Sequence, residues 1–148
     1  MRLKIKVGKF ILKYGFTNKL RIWSLRLMGV KVGKDVYIGE DMVIVSSLSR
    51  KLSLVIGDRV SIAPRVNLIL SSHPNNSRLK QFYPEKQGSI IIEDDVWIGL
   101  GVTIFPNVTI GKLSVLGTGS IIHKNVSEGS IIGSPQSTLI GTNKIDDL

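Results

Sequence analysis

The chain has 148 residues, no cysteine and a formal charge of +9, from 20 Lys and Arg against 11 Asp and Glu. This length suits one domain, and the missing cysteine excludes a disulfide framework, a thiol nucleophile and a thiolate metal site, which makes a reducing cytoplasm the natural compartment. Ten of the basic residues fall within residues 1–34, where no acidic residue occurs, and the rest of the chain is nearly neutral, so a local basic contact is expected rather than a nucleic-acid-binding body.

Residues 1–29, including "KIKVGKFILKYGFTNKLRIWSLRLMG", mix apolar and basic residues at helical spacing, broken by Gly15 and stopped near Gly29. The spacing predicts one or two amphipathic helices, which act as a cap on the following unit, as a basic face for an anionic membrane, or as both. No apolar run approaches the roughly 20 residues that span a bilayer, and lysines interrupt every short one, so no secretion signal is expected. The expected location is the cytoplasm, with the inner face of the membrane as the place where a basic helix would dock.

From Val30 the sequence divides every six residues and stays in phase: VKVGKD, VYIGED, MVIVSS, then LVIGDR, VSIAPR, VNLILS, then IIIEDD, VWIGLG, VTIFPN, VTIGKL, SVLGTG, SIIHKN. Repeats of this kind outrank other signals. The third position is aliphatic throughout and the first mostly small and apolar, so both face inward; glycine at position four is read as the source of backbone freedom for a corner. Three such edges close a triangular coil, and stacked coils bury a continuous apolar column.

Two stretches break the phase. "LSRKLS", Leu48 to Ser53, puts Arg50 where an inward aliphatic residue belongs, which predicts a bulge. Residues 72–89, "SHPNNSRLKQFYPEKQGS", lack the pattern altogether and predict a loop protruding from the wall, the kind of place where function resides on a rigid scaffold.

The hexads resemble those of the hexapeptide-repeat acyltransferases over about residues 30–132, and the stretches "SIAPRVNLILSSHP" and "DDVWIGLGVTIFPNVTIG" are similar to the maltose and galactoside O-acetyltransferases. The resemblance implies an all-β, left-handed parallel β-helix at 30–148 behind a short helical segment at 1–29, with the loop 72–89 and a tail 133–148, assembled as a homotrimer. It implies acetyl-CoA as co-substrate, no metal, and a sugar or lipid-linked saccharide as acceptor, in surface polysaccharide (capsule or O-antigen) biosynthesis.

By the same resemblance, His73 is the general base: an imidazole titrates near neutrality and suits removal of a proton from a poorly nucleophilic hydroxyl. A carboxylate or carbonyl on its other ring nitrogen would set the tautomer; the sequence does not identify that partner, and Glu85 in the same loop is one candidate. The Leu100 amide would meet the oxyanion, and Trp97, pointing outward, would line the substrate pocket or a subunit contact. Gly117, Thr118 and Gly119 would let the pantetheine arm lie against the backbone, with Lys124 at a phosphate. His123 is read as exposed and uninvolved. The ending "GSPQSTLIG" keeps Gly133, Pro135 and Ile140 of the family pattern but has Gln136, Ser137 and Gly141 where alanine and two basic residues are usual. Two other readings stay open: N-acetylation of an amino sugar or O-acetylation of a streptogramin-like drug, and a catalytically silent trimeric scaffold.

Overall fold

The computed structural model describes residues 2–47 and 52–134. Arg50 and the tail residues Pro135, Gln136, Ser137, Ile140 and Gly141 lie outside these.

Two helices come first, α1 (Arg2–Tyr14) and α2 (Asn18–Leu27). Thr17 ends the break between them by accepting a hydrogen bond from the Leu20 amide at 3.2 Å, which satisfies one unpaired donor of the α2 first turn. Gly29, at φ 85°, turns the chain into the repeats, a conformation that costs glycine little. Ile5, Leu12, Leu25 and Met28 bury their side chains in the core that continues into the repeats. Gly8 permits the helices to meet closely: a Cβ there would fall 2.3 Å from Met28 Cγ and 3.0 Å from the Ser24 carbonyl oxygen. Polar bonds fix the pair to the first coil. Asn18 donates to the Val36 carbonyl and accepts from the Ile38 amide, both at 2.9 Å. The buried Arg21 donates to the carbonyls of Ile38 and Gly15.

The repeats form three parallel sheets. The first contains β1 (Lys31–Val32), β4 (Leu54–Ile56), β9 (Ile90–Ile92) and β12 (Val108–Ile110), hydrogen-bonded in that order. The second runs β2 (Tyr37–Ile38), β5 (Ser61–Ile62), β10 (Trp97–Ile98), β13 (Val115–Leu116) and β15 (Ile131–Ile132). The third runs β3 (Val43–Val45), β6 (Asn67–Ile69), β11 (Thr103–Ile104) and β14 (Ile121–Ile122). Each turn of the chain contributes one strand to each sheet, which makes the body a three-sided parallel solenoid. Register keeps equivalent hexad positions in line: Ile38, Ile62, Ile98, Leu116 and Ile132 stack at position three of the second sheet. Positions one and three are buried along the column, and where position one is serine the hydroxyl is bonded: Ser114 to the Ser127 carbonyl at 2.9 Å and Ser120 to the Gly117 carbonyl at 2.6 Å.

The corners work differently from the sequence expectation. The left-handed φ falls at position six, on Asp35, Asp41, Arg59, Arg65, Asp95, Asn107 and Leu113 as well as Gly101 and Gly119, and not on the position-four glycines. Glycine at position four is required by its neighbour instead: a Cβ on Gly39 would lie 2.4 Å from Pro64 N and 2.5 Å from Ala63 C, in the backbone of the next coil. Two of the left-handed residues also tie coils together, as Arg59 forks onto Asp95 at 2.6 and 2.8 Å and holds that carboxyl below the usual carboxylate range.

Candidate active site

Three corners separate the sheets, and each has its own chemistry. At the first corner, between the first and second sheets, carboxylates cap the position-five amides: Lys34 N donates to Asp58 Oδ1 and Asp58 N to Asp94 Oδ1, each at 2.8 Å, and Lys112 N donates to Glu93 Oε2 at 2.9 Å. The second corner, between the second and third sheets, holds Glu40, Pro64, Leu100 and Thr118 at position five. Pro64 has no amide hydrogen. Leu100 is exposed; its carbonyl accepts from Gly119 N at 2.8 Å, and its amide meets no acceptor among the described residues. An uncapped amide on a rigid corner is a donor preorganised for an external oxygen. Trp97, 59% exposed on β10, stands three residues earlier on the outer face of the second sheet, in line with Tyr37 and Ile131.

Gly117, Thr118 and Gly119 stack one coil beyond Leu100 at this same corner. The two glycines have structural reasons of their own. A Cβ on Gly117 would sit 2.9 Å from the Ile132 carbonyl oxygen, and Gly119 has φ 72°. The Thr118 carbonyl accepts from the Ser134 hydroxyl.

The third corner, between the third and first sheets, collects both breaks in the repeat. Ser46 and Ser47 end the first coil there, and the 72–89 excursion leaves from the second. It leaves as a hairpin stem: β7 (Ser71–Ser72) pairs antiparallel with β8 (Lys86–Gln87), Ser71 opposite Gln87. A short 3₁₀ helix (Arg78–Gln81) lies in the loop, N-capped by the Ser77 hydroxyl. At the root of the stem is a cleft of about 320 Å3 lined by Ser46, Ser53, Ser71, Gln87 and Ser89 among others. The Ser46 hydroxyl is buried without a hydrogen-bond partner among the described residues, and the Ser46 carbonyl accepts from Lys9 Nζ of α1 at 3.3 Å. Burial holds that ammonium below the usual lysine range.

His73 follows the stem directly and is exposed. The partner of its ring is a donor: Asn75 N–H bonds Nδ1 at 3.2 Å, and Asn75 takes φ 48° to do so. A neutral ring so held carries its proton on Nε2 and presents a donor outward. Abstraction of a proton through Nε2 therefore requires the ring to give up Asn75 and carry its proton on Nδ1. Glu85 is engaged elsewhere, accepting from Gln87 Nε2 at 2.7 Å.

The structure thus groups the sequence-derived site residues in two places. Trp97, Leu100 and Gly117–Gly119 share the second sheet and its corner, whereas His73 and the exposed Lys124 belong to the third corner. Within one chain, Leu100 and Trp97 stand a whole edge of the third sheet away from His73. Gly119 and Lys124, on either side of β14, are separated by five residues of edge, about 16 Å. The serine-lined cleft escaped the sequence reading because its residues are small, unremarkable in type and brought together by two separate interruptions. Among the described residues, no cluster of His, Asp and Glu could hold a metal ion.

No family model matches the chain, but individual proteins do. The galactoside O-acetyltransferase of Escherichia coli (strain K12) is 37% identical over 97 residues, which cover 66% of this chain and 46% of that protein. The chain spans about half the length of the curated relatives it matches or less. In fold it is similar to the hexapeptide-repeat acetyltransferase of Vibrio cholerae, with a TM-score of 0.72, 24% identity, and coverage of 90% of this chain and 85% of that one. A galactoside acetyltransferase solved with coenzyme A superposes with a TM-score of 0.62 and 24% identity, over 90% of this chain and 76% of that one. The hexads and their three-sheet stacking give the chain the fold of the hexapeptide-repeat acetyltransferases, and over the repeats its sequence is similar to the galactoside O-acetyltransferases.

Proposed function

We propose that the protein transfers an acetyl group from acetyl-CoA to a hydroxyl of a sugar, in a site completed by neighbouring copies of the solenoid. The observation that carries this reading is the uncapped Leu100 amide beside an exposed Trp97, on a solenoid where carboxylates cap the first-corner amides of Lys34, Asp58 and Lys112. The serine-lined cleft at the root of the His73 loop supplies hydroxyl partners suited to a polyol acceptor. Because Leu100 and His73 stand on different corners of one chain, a second copy must bring the two together. Three copies packed through the outer sheet faces, where Trp97, Tyr37 and Ile131 are exposed, would meet that need. The left-handed sense of the coils is inferred with this reading.

The co-substrate supplies an activated thioester. His73 takes the acceptor proton, and the Leu100 amide receives the negative charge that develops on the carbonyl oxygen. A lipid-linked saccharide from capsule or O-antigen synthesis suits an acceptor presented beside the basic helices.

Thiol release from acetyl-CoA, followed with a panel of sugars, amino sugars and a streptogramin, tests the reading. Saturable coenzyme A binding and release dependent on a sugar hydroxyl are expected. Acetyl found on nitrogen would favour the amino-sugar alternative, and absence of saturable binding would leave the scaffold.

Leu100→Pro tests the oxyanion donor, since Pro64 shows that this corner takes a proline at the equivalent position one coil earlier. The variant loses the amide hydrogen together with the leucine side chain, and its kcat should fall by about 10²–10³, whereas Leu100→Ala, which keeps the amide, should stay near wild type. Equal activity of the two variants would dismiss the amide.

A further inference from the structure

Helix α1 is apolar on two opposite sides. Ile5, Gly8 and Leu12 are buried against the body, while Leu3, Val7, Phe10 and Tyr14, at i, i+4, i+7 and i+11, form a second stripe turned to solvent. Phe10 is 65% exposed, and its ring lies 5.0 Å from that of Tyr14, so the two aromatics make one contiguous surface. Phe16, in the turn between the helices, is 86% exposed. A cap needs only its inner stripe; among the described residues nothing covers the outer one.

Charge identifies what covers it. Arg2, Lys6 and Lys13 flank the outer stripe on one side and Lys4 on the other, with Lys13 Nζ 5.4 Å from the Tyr14 ring centroid. On α2, Lys19, Trp23 and Arg26 join Lys34 around a groove of about 280 Å3 that has one carboxylate, Asp35, in its lining. Aromatic and aliphatic residues bordered by cations on one helix match the boundary between headgroups and acyl chains of an anionic bilayer. No helix among the described residues is long and apolar enough to cross a membrane, so the contact lies along the surface.

We infer that the helical pair docks the protein on anionic lipid membranes, with Phe10, Tyr14 and Phe16 entering the interface and the lysines meeting the headgroups. The inference is independent of acetyl transfer.

The test is co-sedimentation of the full chain with vesicles of phosphatidylcholine alone or with phosphatidylglycerol, at low and high salt. Binding should need the anionic lipid and be lost in high salt. Replacing Lys4, Lys6 and Lys13 by glutamine should weaken it on the order of 10²-fold, about fivefold per charge. Phe10→Ser with Phe16→Ser should weaken it about tenfold or more, at an unchanged melting temperature because both rings are exposed. If the aromatic pair destabilises the chain, the glutamine variant and the salt dependence decide alone. No binding, equal binding to neutral vesicles, or binding indifferent to the substitutions would overturn the inference. So would a lower oligomer mass of the serine variant by light scattering, which would make the stripe a contact between copies of this chain.

Discussion

His73→Ala is expected to lower turnover on a sugar acceptor by roughly 10²–10⁴ while leaving coenzyme A binding nearly unchanged. The asymmetry follows from geometry. His73 stands at the third corner beside the serine-lined cleft, whereas Leu100 and Gly117–Gly119 stand at the second, so removing the imidazole removes a base from the acceptor side and touches little of the donor side. The ring is exposed and makes one backbone contact, to Asn75 N at 3.2 Å, so its loss should barely move the melting temperature. Steady-state thiol release gives kcat, and titration calorimetry with coenzyme A gives the affinity. Unchanged turnover on a confirmed acceptor would make His73 a loop residue only.

Gly39→Ala should destabilise the fold by about 2–4 kcal/mol, although alanine is a small and otherwise tolerated residue. Its Cβ would stand 2.4 Å from Pro64 N, and backbone cannot swing aside as a flexible side chain would. The coils must separate locally, which stretches the bonds between β2 and β5, including Gly39 N to the Ile62 carbonyl at 2.7 Å. Gly101→Ala is the control: it sits at φ 67° with nothing within 4 Å of a Cβ, so only the left-handed backbone is disfavoured, by about 1–2 kcal/mol. Denaturant unfolding of both variants ranks them, and a larger loss at Gly101 would refute close approach as the reason for glycine at position four.

The solenoid was legible because its cause is local: side chains alternate across a strand, so Val36 and Ile38 declare an inward face as soon as they are written down, and every later hexad repeats the statement. The corners were less so. Arg59, Arg65 and Leu113 take a backbone conformation that few non-glycine residues adopt, each amide bonded to a carbonyl of the preceding coil, and no residue type announces that. The partner of His73 was hidden for a related reason, since a backbone amide is present at every residue and carries no signature. The division of the site between two corners follows from how many residues make an edge, not from which ones they are.

Chain closure gives the His73 loop a further meaning. Register partners in the third and fourth coils, such as Ile90 and Val108, are 18 residues apart, while those in the second and third coils, such as Asp58 and Asp94, are 36 apart because the excursion lies between them. Doubling a closed loop costs only about 0.6 kcal/mol of conformational entropy. A parallel solenoid can therefore host a long functional insertion at a corner almost without loss of stability. The charge falls on folding order instead: the later coils, with the shorter closure, have the advantage in forming first, and the coils before the loop, with the helices that cover them, join last.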